Sequence, residues 1–301
     1  MRRLIAVLAA ALIAPALATA TPASAQAAAP VDPAKALKKY VSPGYGVKFT
    51  EVSRLAGNGE TLIALKSNGA YQFGKGKPAA ADVSFRYQLD PELKELLRES
   101  DEFKDTANAE IDPLKALTST TRVIQLKGKT YFTNPEYTNV LPDGKTWVTG
   151  KAAEDMEIPN TQPVDALDPT TVKNLLAGVS GKPGGVVNGA RTTVYSGKIT
   201  LAQLYKLSPS YRTKFGKPTG SSAKSKISWK IWFDGKGLPR RVLATNTEKI
   251  GSTTLTDSTD TRYSDWGRGT YVKAPPAAQI VDENAVEQEL PELPTEFNPI
   301  Q

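Results

Sequence analysis

Lys226-Ile227-Ser228-Trp229-Lys230-Ile231-Trp232-Phe233-Asp234 is the stretch that decides the architecture. Ile227, Trp229, Ile231 and Phe233 fall on one face of an extended chain, and Lys226, Ser228 and Lys230 on the other. That is the period-two pattern of a strand with one covered face. Asp234-Gly235-Lys236-Gly237 follows as a tight turn into a second alternating run, Arg241 to Lys249. Outward from this pair the pattern repeats. Val47 and Phe49 begin one strand, and Val83, Phe85, Tyr87 and Leu89 mark another. Lys145 to Thr149, Arg191 to Ile199 and Thr253 to Tyr263 read the same way. Asn68-Gly69, between Thr61–Leu65 and Ala70–Gly74, carries the strongest short hairpin signal. Lys127-Gly128 is a second hairpin, between Thr121–Leu126 and Lys129–Thr133. Gly57-Asn58-Gly59 and Gly74-Lys75-Gly76 read as turn glycines.

Helices are fewer, and their starts share one device. Asp32-Pro33, Asp90-Pro91, Asp112-Pro113 and Asp168-Pro169 each combine a good N-cap with a proline tolerated at the first helical position. Thr200 caps a further segment through Leu201, Leu204 and Tyr205. No strand–helix–strand rhythm appears. The expectation is an α+β domain: a large, strongly bent antiparallel sheet with a few short helices on its concave side.

The chain of 301 residues contains no cysteine and no histidine. Disulfides, thiolate nucleophiles, Cys/His metal sites and Ser-His-Asp chemistry are therefore excluded. Residues 1–25 read as a signal peptide: Arg2-Arg3, an apolar run from Leu4 to Ala20, then Ala23-Ser24-Ala25. Residues 26–31 read as a linker, 32–281 as the folded domain and 282–301 as a disordered acidic tail. The expected location is secreted, in the cell envelope, without a lipid anchor and without a transmembrane span once the leader is removed. Net charge is +7 for the whole chain, −6 for the tail and +11 for residues 26–281. A basic exported body suits anionic wall polymers or lipid headgroups. Aromatics do not interleave with the basic residues, so nucleic acid is not expected as a partner.

Several local matches to catalytic patterns lack their context. Ser221-Ser222-Ala223-Lys224 matches a Ser-x-x-Lys motif without its partner motifs. Gly178-Val179-Ser180-Gly181 is not a nucleophile elbow. Asp257, Asp260 and Asp265 read as a solvated strand face rather than a calcium cluster. Glu99, Asp101 and Glu102 read as surface carboxylates at a helix exit. The expectation is a protein with no catalytic residue, no metal and no cofactor.

From Ile124 onward a larger pattern emerges. Gly128-Lys129-Thr130-Tyr131-Phe132 and Gly144-Lys145-Thr146-Trp147-Val148 precede Gly189-Ala190-Arg191-Thr192-Thr193-Val194-Tyr195. Trp229-Lys230-Ile231-Trp232-Phe233-Asp234, Gly237-Leu238-Pro239-Arg240-Arg241 and Tyr263-Ser264-Asp265-Trp266-Gly267 follow. In order and spacing this resembles the actinobacterial exported proteins of the LppX/LprAFG type, related in fold to the LolA and LolB lipoprotein carriers. The resemblance implies a half-open β-barrel wrapped over helices around an apolar cavity that takes acylated lipids or glycolipids. It makes Val194, Trp229, Ile231 and Phe233 the candidate cavity-lining residues. The chain departs from many such proteins in having no lipobox cysteine. Without the resemblance, the face carrying Trp229 reads by default as solid core. The functional expectation is a secreted, non-enzymatic lipid- or glycolipid-binding protein. The alternative is a wall-associated interaction protein with a basic surface and no open cavity.

Overall fold

Asp32, Asp90, Asp112 and Asp168 each turn a carboxylate back onto the first free backbone N–H groups of a helix. Asp32 accepts from Ala34 at 2.9 Å, Asp90 from Glu92 at 2.9 Å, Asp112 from Leu114 at 2.9 Å and Asp168 from Thr170 at 2.9 Å. Proline follows each aspartate, where the missing N–H costs nothing. The helices so opened are α1 (Pro33–Tyr40), α2 (Pro91–Glu99), α3 (Pro113–Thr118) and α4 (Pro169–Leu176). Thr200 opens α5 (Leu201–Leu207) through a capping box with Gln203. Ser208 both ends α5 and caps α6 (Pro209–Phe215), a helix the sequence reading does not anticipate. The computed structural model describes residues 31–100, 103, 111–150 and 161–286. The expected leader, residues 26–30 of the linker, Asp101, Glu102 and residues 287–301 of the tail lie outside them.

Among the described residues, twelve strands form one open sheet. The N-terminal meander is β1 (Gly46–Gly57), β2 (Glu60–Phe73), β3 (Pro78–Leu89), β4 (Thr121–Leu126), β5 (Lys129–Thr133) and β6 (Trp147–Thr149). The second meander is β7 (Lys182–Val187), β8 (Ala190–Thr200), β9 (Lys226–Asp234), β10 (Pro239–Ile250) and β11 (Thr253–Gly267). β12 (Ile280–Asp282) returns to lie parallel to β6. The order β12-β6-β5-β4-β3-β2-β1-β11-β10-β9-β8-β7 shows that β1 and β11 weld the two meanders together. The expected α+β class, a curved antiparallel sheet left open as a half-barrel over short helices, is the observed one.

Asn68-Gly69 is not a turn. It lies inside β2, which runs unbroken from Glu60 to Phe73. The β1–β2 turn is instead Asn58-Gly59, both with positive φ (50° and 95°), as tight hairpins require. Gly69 serves a close approach: a Cβ there would strike the Asp82 carbonyl and come within 2.9 Å of the Val83 backbone. The Lys127-Gly128 hairpin stands as expected, with φ of 54° and 73°.

The inner face of the sheet carries two apolar clusters. In the first, Leu37, Val172, Leu175, Leu204 and Tyr211 from the helices pack on Phe49, Trp229, Ile231 and Phe233. In the second, Ala116 of α3 packs with Leu65, Phe85, Val123 and Phe132. Between them runs a polar seam. Glu51 accepts from the Thr261 hydroxyl at 2.6 Å and from the Thr161 hydroxyl at 3.1 Å. Ser53 hydrogen-bonds Thr161 and, at 3.0 Å, Thr259, while the Gln162 amide donates to Thr261 at 3.0 Å. Residues 161–168 thus cross the inner face as a strap, anchored by Val164, Ala166 and Leu167 in the first cluster.

On the outer face, Val272 and Ile280 cover Ala80, Ile124 and Trp147. The chain continues along the sheet past Val281. Asp282 belongs to β12 and caps a short turn at Glu283–Ala285, and Val286 packs on the second cluster. The first residues of the expected acidic tail, 282–286, follow directly on Val281, which is buried in the second cluster, and end on the half-buried Val286 packed against it.

Candidate functional site

The four expected cavity residues part company. Trp229, Ile231 and Phe233 share the inner face, where they are 3%, 0% and 2% exposed and belong to the first apolar cluster. Trp229 fits tightly because Gly197 faces it, where a Cβ would come within 2.7 Å of the indole ring. Val194 is on the other side of the sheet. It pairs with Trp232, whereas its neighbour Tyr195 pairs with Ile231 and sets its ring edge-on to Phe233 at 5.8 Å. Strand parity makes Tyr195 the inward residue and Val194 the outward one.

A hollow does exist, one step further toward the mouth of the half-barrel. It has a volume of about 650 Å³ and lies between the ends of β9, β10 and β11, the helices α5 and α6, and the loop 217–225. Such a volume is in the range of ligand pockets. Its apolar wall comes from Leu201, Tyr211, Phe215, Ile227 and Ala244. Tyr211 and Phe215 sit one turn apart on α6, with ring centroids 4.9 Å apart.

The opposite wall is polar. Asn246, Asp257 and Thr259 project from the inner face, and Ser221, Ser222 and Ser225 face them from the loop. Asp257 directly opposes Asn246 across the β10–β11 ladder. Burial pushes the Asp257 carboxyl up to about 6. Thr161 joins this wall to the polar seam behind it through Ser53, Thr259 and Glu51. Glu248, Lys217 and the exposed Ile250 stand at the rim.

Asp257 does not belong to a solvated face, as its spacing from Asp260 and Asp265 suggests. It shares parity with Thr259, Thr261 and Tyr263 and points inward, while Asp260 points outward to Arg241 at 2.8 Å. Counting back from buried Tyr263 was the available signal. Ser221 and Lys224 lie in the loop beside the hollow, and only Ser221 reaches its lining. Deeper still, burial first, then the charges of Glu51 and Asp165, raise the Tyr71 hydroxyl above its ordinary range. Tyr263 is raised by burial, then by Asp165 and Glu51.

The fold and site define an open, curved α+β half-barrel with an amphiphilic hollow at its mouth. No helix among the described residues is long and apolar enough to cross a membrane. Three solved structures overlap this chain loosely. The hypothetical protein CT021 from Chlamydia trachomatis is 10% identical, with 82% of this chain and 98% of that one covered, at a TM-score of 0.27. A DUF1329 family protein from Desulfovibrio piger is 12% identical, with 81% and 96% covered, at 0.20. The MucA/MucB complex from Pseudomonas aeruginosa gives 9% identity, 78% and 94% coverage, and 0.21. No family model matches the chain, and no curated protein matches it. The LppX/LprAFG likeness therefore stays a resemblance of sequence fragments.

Proposed function

We propose that this is a non-enzymatic binding protein of the cell envelope, exported by its leader, that takes an acylated lipid or glycolipid into the hollow at the mouth of the half-barrel. The observation that carries this reading is the two-sided lining. Tyr211, Phe215, Leu201 and Ile227 offer apolar and ring surface, and Asn246, Asp257, Thr259 and Ser225 offer hydrogen-bonding groups opposite. An amphiphile uses both at once. Acyl carbons gain about 0.8 kcal/mol per buried CH₂, and hydroxyls of a headgroup satisfy the amide and carboxylate. A purely apolar ligand would leave the polar wall unpaired, at a cost.

The test is organic extraction of the purified protein followed by lipid mass spectrometry, with displacement of a fluorescent fatty-acyl probe as a second readout. Co-purified acyl lipid and a displaceable probe are expected. Ser225→Trp, which fills the hollow from its loop wall, should abolish probe binding with little change in melting temperature. A wild-type protein with neither lipid nor probe binding would sink the reading.

A further inference from the structure

The outer face of the sheet presents a different chemistry, and it is independent of what fills the hollow. Two adjacent rows of outward side chains cross it from β3 to β8. One runs Arg86, Lys66, Val52, Asp260, Leu243, Lys230 and Ser196 by successive cross-strand pairing. The other contains Arg54 and Lys198, separated by Ser258, Thr245 and Ser228. Five strand spacings separate Arg86 from Lys230, which is about 24 Å across the sheet. Asp260 is the one carboxylate in the two rows, and Arg241 holds it at 2.8 Å.

Arg54, Lys66, Arg86, Lys198 and Lys230 are exposed, and among the described residues none of them makes an ion pair or side-chain hydrogen bond. Lys66 and Arg86 stand directly opposite each other. Like charges in that position destabilise a sheet, so the pair opposes folding unless an anion is shared between them. At the other end, Lys198 and Lys230 line a shallow depression of about 500 Å³ together with Ser196, Ser228 and Thr245 and the apolar Trp229 and Leu243. Two lysines beside three hydroxyl-bearing residues suit a phosphate or carboxylate. The exposed large apolar residues, Val31, Leu96, Val186, Ile250 and Tyr271, lie elsewhere. The apolar residues of the two rows, Val52 and Leu243, are half-buried, so the face offers little to insert into a bilayer.

We infer that this outer face docks an extended polyanion, a polymer of repeating phosphate or carboxylate groups, along the line from Lys66 and Arg86 to the Lys198–Lys230 depression. A polymer strand follows a curved face along its length, whereas a flat lipid surface meets a convex sheet only locally. Solubility alone would be served by cations anywhere, and paired acids would serve it better than the opposed Lys66 and Arg86.

The experiment uses the full exported chain and two soluble probes, polyphosphate and polygalacturonate, beside phosphatidylglycerol vesicles. Wild-type protein should bind at least one polymer, and the binding should weaken as salt rises past about 0.15 M, where the screening length is about 8 Å. Lys66→Thr, Arg86→Thr, Lys198→Thr and Lys230→Thr together keep strand-forming residues and should lower polymer affinity about tenfold or more. A control removing four turn lysines, Lys75, Lys77, Lys127 and Lys236, as serine carries the same charge change and should retain most of the affinity. Equal losses in both variants would reduce the effect to net charge and overturn the inference. Binding to the vesicles alone, or to no probe, would overturn it as well. Fatty-acyl probe binding should be unchanged in the outer-face variant, so this test fails or succeeds apart from the hollow.

Discussion

Thr261 donates its hydroxyl to Glu51 at 2.6 Å from the position directly opposite it on the β1–β11 ladder. The two residues come from different meanders, and the carboxylate they share also holds the strap through Thr161. A buried carboxyl is tolerated here because three donors converge on it, the Thr261 hydroxyl and the hydroxyl and N–H of Thr161.

Removing that acceptor should be costly. Glu51→Ala leaves the buried Thr261 hydroxyl without its acceptor and takes from Thr161 one of its partners, Ser53 remaining, and a loss of about 2 kcal/mol in urea unfolding is expected. Glu51→Gln keeps one acceptor oxygen and should lose less. Equal stability of Glu51→Ala and wild type would show that the seam is not structural.

Ser67 lies beside Glu51 on the inner face, 5% exposed, and among the described residues its hydroxyl has no hydrogen-bond partner. Ser67→Ala removes an unpaid desolvation and should raise stability by about 1 kcal/mol. A fall of similar size in a melting experiment would mean the hydroxyl has a partner in solution.

Asp257 sets a pH dependence. Its folded-state carboxyl is raised to about 6 from an ordinary value of 3.8, so between those values the folded state holds more proton than the unfolded. Stability should therefore fall as pH rises from about 4 to about 6, by roughly 1 kcal/mol after allowance for partial screening. Asp257→Asn should flatten that segment and be the more stable protein at pH 7. Urea midpoints measured across this range decide it, and identical profiles would place the carboxyl in solvent.

Ile231 is fully enclosed between Tyr195 and Val242 on neighbouring strands, away from the hollow. Ile231→Asp should fail to accumulate as folded protein, and Ile231→Ala should cost about 2–4 kcal/mol. A folded Ile231→Asp protein would place water next to this face after all.

Much of the fold was legible because short chemical signals fixed it. Asp-Pro pairs marked four helix starts, and the alternation around Trp229 fixed the covered face. Asn68-Gly69 misled because glycine serves close packing as readily as turning, and only the neighbouring strand, through Val83, decides which. β12 was invisible because three residues carry no period. The site was legible by chemistry but not by place. Trp229, Ile231 and Phe233 were assigned to the right face, yet whether a face is filled depends on helices packed there from distant sequence. The hollow arises where α6 and the loop 217–225 fail to fill the space over Ile227 and Ala244, and neither segment announces this.

The β1–β11 weld also sets a schedule. Phe49 waits for Tyr263 as its ladder partner. At a synthesis rate of about 5–20 residues per second, that partner arrives roughly 10–40 s later. Throughout that interval the newly formed N-terminal meander has one bare edge, the strand of Val47, Phe49 and Val52. A bare edge is a template for pairing with another chain. Lys48 and Arg54 project along it and repel a second copy of the same edge. The last third of the polypeptide thus acts as the cover for the first, and an interruption of elongation before Thr253 would leave a sticky half-sheet rather than a smaller folded protein.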